Sequence, residues 1–254
     1  MGTVMRKMGF SVEIHKTRKA MGDAAGKKAE ELIVHYLKQK KEVRIIAASA
    51  PSQNETVAYL AKSKLIDWSR VTAFHMDEYI GLDEKAPQNF GKWLEDRLFG
   101  KVPVKKFYRL DGSATDPAKE CERYAALLKK APIDVLLGGI GENGHLAFND
   151  PPVADFNDPL TVKVINVALV SRNQQVHDGC FDALKDVPKK AFTLTIPILQ
   201  SASSLVYTIP KSTKAAAAGK MFNGPIETKC PASFLRYHPD CYVFLDNESG
   251  KELL

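Results

Sequence analysis

The sequence predicts an α/β protein built on a mostly parallel, doubly wound sheet that is flanked by helices. Three observations support this prediction. Short apolar runs alternate with segments of helical periodicity, which is typical of βαβ units. Polar or glycine-rich clusters follow several of those runs, as ligand loops follow parallel strands. The composition, 44% hydrophobic and 26% charged over 254 residues, is that of a globular protein.

The first predicted elements are two helices and two strands. Residues 17–40 carry apolar side chains at helical spacing and lysines on the opposite face, which predicts a long amphipathic helix. A short apolar strand is expected at residues 44–48, and a helical pattern covers residues 55–64. Residues 71–76 form the next expected strand and end beside an acidic pair.

The second half of the chain continues the alternation. Residues 133–140 are apolar until they reach glycines, and residues 161–168 alternate as in a strand with one solvated face. A β-rich run at residues 204–209 precedes a helix start, and residues 242–245 close the series. Without repeats or linker-like stretches, residues 1–254 are expected to form a single Rossmann-like domain.

The net charge and the cysteines of the chain limit which binding partners and which cellular compartment are expected. The chain has 36 Lys+Arg and 30 Asp+Glu, a net charge of +6, and its lysine pairs are scattered. Scattered lysines favour solvated helix ends over a nucleic-acid surface, and they also suit an anionic small molecule. No apolar run reaches the roughly 18 residues of a membrane span. Four widely spaced cysteines without a CxxC pair, and a basic N-terminus without a signal-peptide core, predict a reduced cytoplasmic chain without a zinc site.

The first candidate cluster is the acidic pair Asp77 and Glu78, which directly follows a predicted strand. A carboxylate whose pKa is raised by burial and by a neighbouring negative charge can act as a general base. The alternative is an acidic pair that stabilises a helix N-terminus through the helix dipole. From spacing alone, this alternative is favoured.

The second cluster surrounds His145 in a glycine-rich stretch. Gly139 and Gly141 are expected to let the backbone approach a ligand. The glycines do not follow the first strand as the dinucleotide fingerprint requires. His145 is a candidate acid or base, and Asn143 and Asp150 are its expected orienting partners. A purely structural histidine is the alternative.

Two helix starts are candidate phosphate sites. Ser49, Ser52 and Gln53 precede one predicted helix, and Lys214 lies at the start of another. Backbone N–H groups at a helix N-terminus bind phosphate, and a lysine adds countercharge. Ordinary helix capping is the alternative for each turn.

Two long motifs carry a resemblance to a known family. Residues 74–82 (FHMDEYIGL) and residues 138–149 (GGIGENGHLAFN) resemble the glucosamine-6-phosphate deaminase, or isomerase, family. The likeness runs from about residue 44 to about residue 246 and includes Lys214 and the step Tyr237-His238-Pro239. The related 6-phosphogluconolactonases share the fold and the histidine turn, but they lack the MDEYxGL stretch.

The resemblance implies a mechanism. His145 would assist opening of the pyranose ring, and Asp77 would then move a proton between C2 and C1. Glu78 would help to place Asp77 or the amino group, while the turn at residues 49–54 and Lys214 would hold the phosphate. The implied partner is a phosphorylated amino sugar, and the products are fructose 6-phosphate and ammonia. No cofactor or metal is implied, and since the family contains monomers and hexamers, a homo-oligomer stays open.

The chain departs from the family pattern in the site itself. Asn143 replaces the usual aspartate and Asp150 the usual glutamate. The phosphate turn differs, and residues 171–178 depart from the usual arginine-containing phosphate contact. Since an asparagine cannot stabilise an imidazolium as a carboxylate does, we expect ring opening to be slower or tuned to another sugar.

Two other functions compete with the deaminase. A lactonase would use His145 to activate water, although it has no need for the Asp77–Glu78 pair. A sugar-phosphate-binding regulator without catalysis is favoured by Asn143, and the retained Asp77 and His145 argue against it. Release of ammonia from glucosamine 6-phosphate separates all three functions.

Overall fold

A computed structural model describes residues 3–7 and 9–254 of the protein. Met1 and Gly2, on which part of the N-terminal prediction rests, lie outside the described residues. The strands are β1 (Thr3–Lys7), β2 (Phe10–His15), β3 (Val43–Ala47), β4 (Val71–His75), β5 (Asp77–Tyr79), β6 (Lys106–Tyr108), β7 (Val135–Gly138), β8 (Val162–Asn166), β9 (Lys190–Leu194), β10 (Ser204–Ile209) and β11 (Cys241–Asp246). The α-helices are α1 (Arg18–Gln39), α2 (Asn54–Leu60), α3 (Phe90–Leu94), α4 (Pro117–Leu128), α5 (Leu169–His177), α6 (Ile196–Gln200) and α7 (Ala215–Asn223). A π-helical turn at Glu95–Phe99 continues α3, and a 3₁₀ turn at Ser212–Lys214 leads into α7.

The main sheet has eight strands in the order β1-β2-β11-β10-β7-β3-β4-β6. All neighbours pair in parallel except β1 and β2, which form an antiparallel hairpin. After β3, the chain adds β4 and β6 on one side of this strand, and then β7, β10 and β11 on the other side. The strand order therefore reverses between β3 and β7, and such a switch point opens a crevice at the carboxyl ends of the strands.

The core lies on both faces of this sheet. Every residue of β3, β4, β7 and β10 is buried, as parallel strands covered on both faces require. Helix α1 covers one face with Ala25, Ala29 and Ile33, each 0% exposed. Helix α7 covers the other face with Ala217, Ala218 and Met221. These central strands are a firm support for the loops that follow them.

A second sheet of three strands, in the order β5-β9-β8, lies beside the main one and is antiparallel throughout. The strand expected at residues 161–168 is β8, so it belongs to this second sheet and is not part of the parallel series. Val164 and Asn166 are exposed, whereas Val162 and Ile165 are buried, so the strand has a solvated part but its burial does not alternate as predicted. Strand β5 follows β4 after a single residue, so the chain passes directly from the main sheet into the second one.

The predicted fold class is confirmed, and the predicted strands and helices of the main sheet are present with small shifts at their ends. The helix expected at residues 55–64 ends at Leu60. The sequence interpretation missed the N-terminal hairpin, β6, β9 and helices α3 to α6, which are short or carry mixed polar and apolar residues. No helix within residues 3–7 and 9–254 is long and apolar enough to cross a membrane.

Candidate active site

A cleft opens at the switch point, where the loops after β3, β7 and β10 meet β5. It contains about 490 Å³ of empty space, part of which is open to the solvent. Predicted site residues that line it are Ser49, Ser52, Asp77, Gly139, Gly141, His145 and Lys214. Apolar side chains of Met76, Phe90 and Phe148 form part of its wall, together with Gln174 and Gln175 from α5. The sequence interpretation did not single out these five residues.

Asp77 and Glu78 face different surroundings because adjacent residues of a strand point to opposite faces. Asp77 lines the cleft, whereas Glu78 is 0% exposed and points to α3. Its Oε1 accepts the N–H of Phe90 at 3.1 Å, and its Oε2 accepts the N–H of Gly91 at 2.9 Å. Glu78 thus binds the first N–H groups of α3. The favoured alternative, a helix beginning at the acidic pair, is wrong, since these residues form strand β5.

Burial raises the pKa of both carboxyl groups. The pKa of Asp77 lies well above its usual value because of its burial and, next, the neighbouring charge of Glu78. Burial raises the pKa of Glu78 to about 7, although backbone N–H groups and Arg109 oppose this rise. Asp77 is therefore a buried carboxyl that holds its proton more tightly than an exposed aspartate does.

The imidazole of His145 rests on a turn that requires glycine. A Cβ atom at Gly141 would overlap the Cε1 atom of His145, so only a glycine lets the ring pack against the backbone there. Gly144 has φ +82°, a conformation that glycine adopts without strain. The Gly141 N–H donates to the His145 carbonyl at 3.0 Å and closes the turn. These contacts fix the ring at the end of β7.

Three side chains meet the Nδ1 atom of His145. The Oδ1 atom of Asn143 lies at 2.9 Å, the Oγ of Ser171 at 3.0 Å and the Oδ1 of Asp150 at 3.2 Å. Asn143 and Ser171 also donate hydrogen bonds to Asp150, at 2.9 and 2.7 Å. Since Nδ1 is engaged in this way, Nε2 is the ring nitrogen available to a ligand in the cleft.

Asp150 supplies the negative charge beside the histidine. Burial favours its neutral form, but the contacts with His145, Asn143 and Ser171 prevail and lower the pKa of Asp150. Of the two carboxylates that the resemblance expects here, at positions 143 and 150, the cluster contains one, Asp150. Asn143 accepts the N–H of His145 and donates to Asp150, and the slower ring opening expected from its substitution stays a prediction.

Ser171 is a contact that the sequence interpretation did not assign to the site. It is 1% exposed and comes from the first turn of α5, 26 positions after His145. Its neighbours in sequence show no motif, and only the packing of α5 brings its hydroxyl to Asp150. No local pattern could have identified it.

The turn after β3 and the turn before α7 form the other end of the cleft. Lys214 is 4% exposed, and its Nζ donates to the Ile140 carbonyl at 2.6 Å. Burial lowers the pKa of Lys214 to about 8. Ser49 lines the cleft while its hydroxyl donates to the Phe90 carbonyl at 2.9 Å, and Ser52 lies deeper in the same turn.

Gln53 lies beside this end of the cleft and does not line it. It is 1% exposed, and its amide donates to the Gly138 carbonyl at 3.0 Å. Gln53 thereby ties the turn after β3 to the end of β7. In the part of the chain that the structure describes, no group of three His, Cys, Asp or Glu side chains is arranged to hold a metal ion.

Comparisons with known proteins agree with this architecture. The family described as glucosamine-6-phosphate isomerases/6-phosphogluconolactonase matches residues 16–243. The glucosamine-6-phosphate deaminase of Listeria innocua is 36% identical over 231 residues, which cover 91% of this chain and 96% of that protein. The corresponding protein of Bacillus cereus is 32% identical over 240 residues, 94% of this chain and 88% of its own length.

Solved structures give the same result. A monomeric glucosamine-6-phosphate deaminase matches with a TM-score of 0.86 at 26% identity, covering 95% of this chain and 99% of its own. The 6-phosphogluconolactonase of Thermotoga maritima matches with a TM-score of 0.75 at 18% identity, over 92% of this chain and 98% of its own, a likeness of fold alone. This chain belongs to the family of glucosamine-6-phosphate isomerases and 6-phosphogluconolactonases.

Proposed function

We propose that this protein is a glucosamine-6-phosphate deaminase, which converts glucosamine 6-phosphate and water to fructose 6-phosphate and ammonia. The observation that carries the proposal is the convergence of Asp77, His145 and Lys214 on one cleft at the switch point of the sheet. A base, an acid–base group and a cation are the groups that this substrate requires. The names of the relatives at 32% and 36% identity point to the same reaction.

His145 opens the sugar ring in this proposal. Its Nε2 takes the proton of the O1 hydroxyl and returns a proton to the ring oxygen, so the C1–O5 bond breaks and an open-chain aldehyde forms. Asp150 stabilises the imidazolium that exists between the two transfers. Asn143 and Ser171 hold Asp150 and the ring in place, and they are positioning residues.

Asp77 then moves the proton that defines the reaction. Its carboxylate takes the proton from C2, which is acidic because it lies next to the aldehyde, and returns it to C1. The electron pair of the C2–H bond forms the C1=C2 bond of an enolamine while O1 takes up a proton. That pair then forms the new C1–H bond as the amino group loses a proton, which leaves an imine at C2. Water adds to the imine and expels ammonia. A raised pKa suits a group that must both accept and return a proton.

The phosphate lies at the opposite end of the cleft in this arrangement. Lys214 provides a charge-assisted hydrogen bond, and Ser52 and the backbone of the turn after β3 provide further donors. Gly139 and Gly141 allow the sugar to approach the end of β7. Glu78 acts indirectly, through its negative charge on Asp77 and its contact with α3.

The decisive experiment incubates the purified protein with glucosamine 6-phosphate and measures ammonia and fructose 6-phosphate together. Equal amounts of both products are expected. The control is 6-phosphogluconolactone. Its hydrolysis removes no carbon-bound proton and therefore does not require Asp77 as a base. Lactone hydrolysis without ammonia release would contradict the proposal and favour the lactonase, and binding of the amino sugar without either product would favour the non-catalytic regulator.

A further inference from the structure

Lys211 has a backbone conformation that normally belongs to glycine. Its φ is 78° and its ψ is 145°, at the end of β10 and three positions before Lys214. Within residues 3–7 and 9–254, the other non-glycine residue with a positive φ is Ala147, which lines the cleft beside His145. Strained residues of this kind cluster at functional sites, where the surrounding structure holds them in place.

Hydrogen bonds to the main-chain N–H and carbonyl of Lys211 hold it in this conformation. Its N–H donates to Oδ2 of Asp246 at 3.1 Å, and Asp246 is in turn fixed by the N–H of Ser249 at 2.8 Å. The carbonyl of Lys211 accepts the N–H of Lys214 at 3.1 Å. The strained residue is thus part of the same turn that places Lys214 in the cleft.

The side chain of Lys211 is paired with Asp178, which follows the last residue of α5. The Nζ–Oδ1 distance is 2.5 Å, and the side chain of Asp178 is only 11% exposed. Asp178 also accepts from the amide of Gln174 at 3.4 Å, and Gln174 lines the cleft. The ion pair therefore joins the turn before α7 to the helix that carries Ser171.

Asp178 is also a charge that acts on Lys214. Among the charged groups near Lys214, Asp178 raises the pKa of this lysine most strongly, while Lys211 lowers it. Asp178 lies in a pocket with Ser49 and Gln175, which also line the cleft, so an unpaired carboxylate in this place would repel a phosphate bound at Lys214. Pairing with Lys211 neutralises this carboxylate. The fields of two opposite charges in direct contact largely cancel at a phosphate that lies farther away.

We propose that Lys211 is a positioning residue of the phosphate end, which occupies Asp178 so that Lys214 is left for the phosphate of the substrate. The strained backbone is what aims the Lys211 side chain at Asp178, away from the cleft itself. This inference rests on the proposed function for the identity of the substrate, but phosphate binding tests it independently of turnover.

The test is a double-mutant cycle of Lys211→Gly and Asp178→Asn. Glycine adopts a positive φ without strain, so Lys211→Gly keeps the turn and is expected to melt no lower than the wild type. We expect Lys211→Gly to weaken the binding of inorganic phosphate, measured by calorimetry, and to raise KM for glucosamine 6-phosphate, each about tenfold, as one lost charge interaction does. Asp178→Asn alone should not weaken phosphate binding, because it removes the carboxylate and leaves the Lys211 cation in place.

Rescue in the double variant distinguishes this role from a structural one. With both charges removed, phosphate affinity should return to within about threefold of wild type, since the repulsion that Lys211 masks no longer exists. Lys220→Ala, which removes an exposed charge from α7, is the matched control and should leave phosphate affinity unchanged. A double variant as weak as Lys211→Gly, or an unaltered affinity in Lys211→Gly, would overturn the inference.

The proposed function is tested separately from the role of Lys211. If the wild type binds phosphate but releases no ammonia, the deaminase assignment is contradicted, and the cycle still decides the role of Lys211. If the wild type does not bind inorganic phosphate or glucosamine 6-phosphate, both proposals are overturned.

Discussion

Asp77 and Glu78 are chemically similar neighbours that the strand places in different surroundings. Asp77 is on the cleft side of β5, and Glu78 receives N–H groups of α3 on the other side. Both pKa values are raised by burial, but only Asp77 can reach a substrate. A pair that looks like two candidate bases in the sequence is, in three dimensions, one carboxyl that lines the cleft and one that accepts N–H groups of α3.

The first prediction concerns Asp77→Asn. Because asparagine has the same shape but cannot accept a proton, we expect kcat to fall at least about 10²-fold, the usual contribution of a general base. The affinity for fructose 6-phosphate, measured by calorimetry, should stay within several-fold of wild type. Exchange of the C2 proton in deuterated water is the direct readout, and undiminished exchange would show that another group is the base.

The second prediction concerns Asn143→Asp. The amide of Asn143 donates to Asp150 at 2.9 Å, so an aspartate there would place two carboxylates in contact beside His145. The family's aspartate at this position predicts faster ring opening, but the contact with Asp150 predicts the reverse. Since two carboxylates so close do not both ionise readily, we expect kcat/KM to fall and the acidic limb of its pH profile to move to higher pH. Asn143→Ala is the matched control, because it removes the hydrogen bonds without adding charge. A faster enzyme in Asn143→Asp, with an unshifted acidic limb, would show that Asp150 alone does not satisfy the histidine.

At the scale of single elements, short helices and turns hold the site together. Helix α3 is five residues long, and both the Asn89 side chain and the buried Glu78 carboxylate bind its first N–H groups. Helix α5 carries Ser171 at one end, and Asp178 follows its other end. Because elements this short gain little stability from their own hydrogen bonds, side-chain contacts with neighbouring strands keep them in position.

The third prediction concerns the contribution of Glu78 to the pH dependence of stability. The unfolded carboxyl titrates near pH 4.5, whereas the folded one holds its proton up to about pH 7. Between these values the folded state binds more protons than the unfolded state, so stability falls as pH rises and levels off above pH 7. Relative to Glu78→Gln, the wild type should lose up to about 3 kcal/mol of unfolding free energy across this window.

Urea unfolding of both proteins at pH 5 and pH 8 measures this difference. Comparison at each pH cancels the opposite contribution of His75, whose pKa is lowered by burial to about 3. Thr17→Ala, which removes the hydroxyl that caps α1, is the control and should lose about 1 kcal/mol at both pH values. An equal difference between wild type and Glu78→Gln at both pH values would mean that Glu78 titrates at the same pH in both states.

At the scale of the whole molecule, the buried parallel strands and the partly exposed second sheet differ in character. Every residue of β3 and β10 is buried, whereas Val164 of β8 is 40% exposed and Leu169 of α5 is 60% exposed. His145 and Lys214 lie at the ends of the buried strands, while Ser171 belongs to the more exposed part. The site thus combines residues that follow fully buried strands with a buried residue of α5, a helix whose other face is partly exposed.

The fourth prediction follows from this difference. Amide hydrogen exchange should be slowest in β3, β7 and β10, and faster in β8 and α5, because exposed elements open locally without global unfolding. Added phosphate should slow exchange in α5 if the phosphate end of the cleft includes this helix. Mass spectrometry of peptic peptides measures both effects, and exchange in α5 as slow as in β10 would contradict the expected order.

The sequence by itself determined the fold class and most of the site. Apolar runs of strand length and helical periodicity indicated the parallel sheet, because burial on both faces leaves a continuous apolar run. Polar clusters at strand ends made Asp77, His145 and Lys214 candidates, since parallel strands bring their carboxyl ends to one edge, but only the family resemblance favoured a base at Asp77. The two long motifs indicated the family, and the family match over residues 16–243 confirmed it.

Only the tertiary structure decided how these groups are used. It assigned Asp77 to the cleft and Glu78 to α3, brought Ser171 to His145, moved β8 into a second sheet and paired Lys211 with Asp178. A local pattern reports which face of an element is buried, but not which distant element covers that face. Contacts such as that between Lys211 and Asp178, 33 positions apart, depend on the packing of whole helices against strands, and no local sequence pattern encodes them.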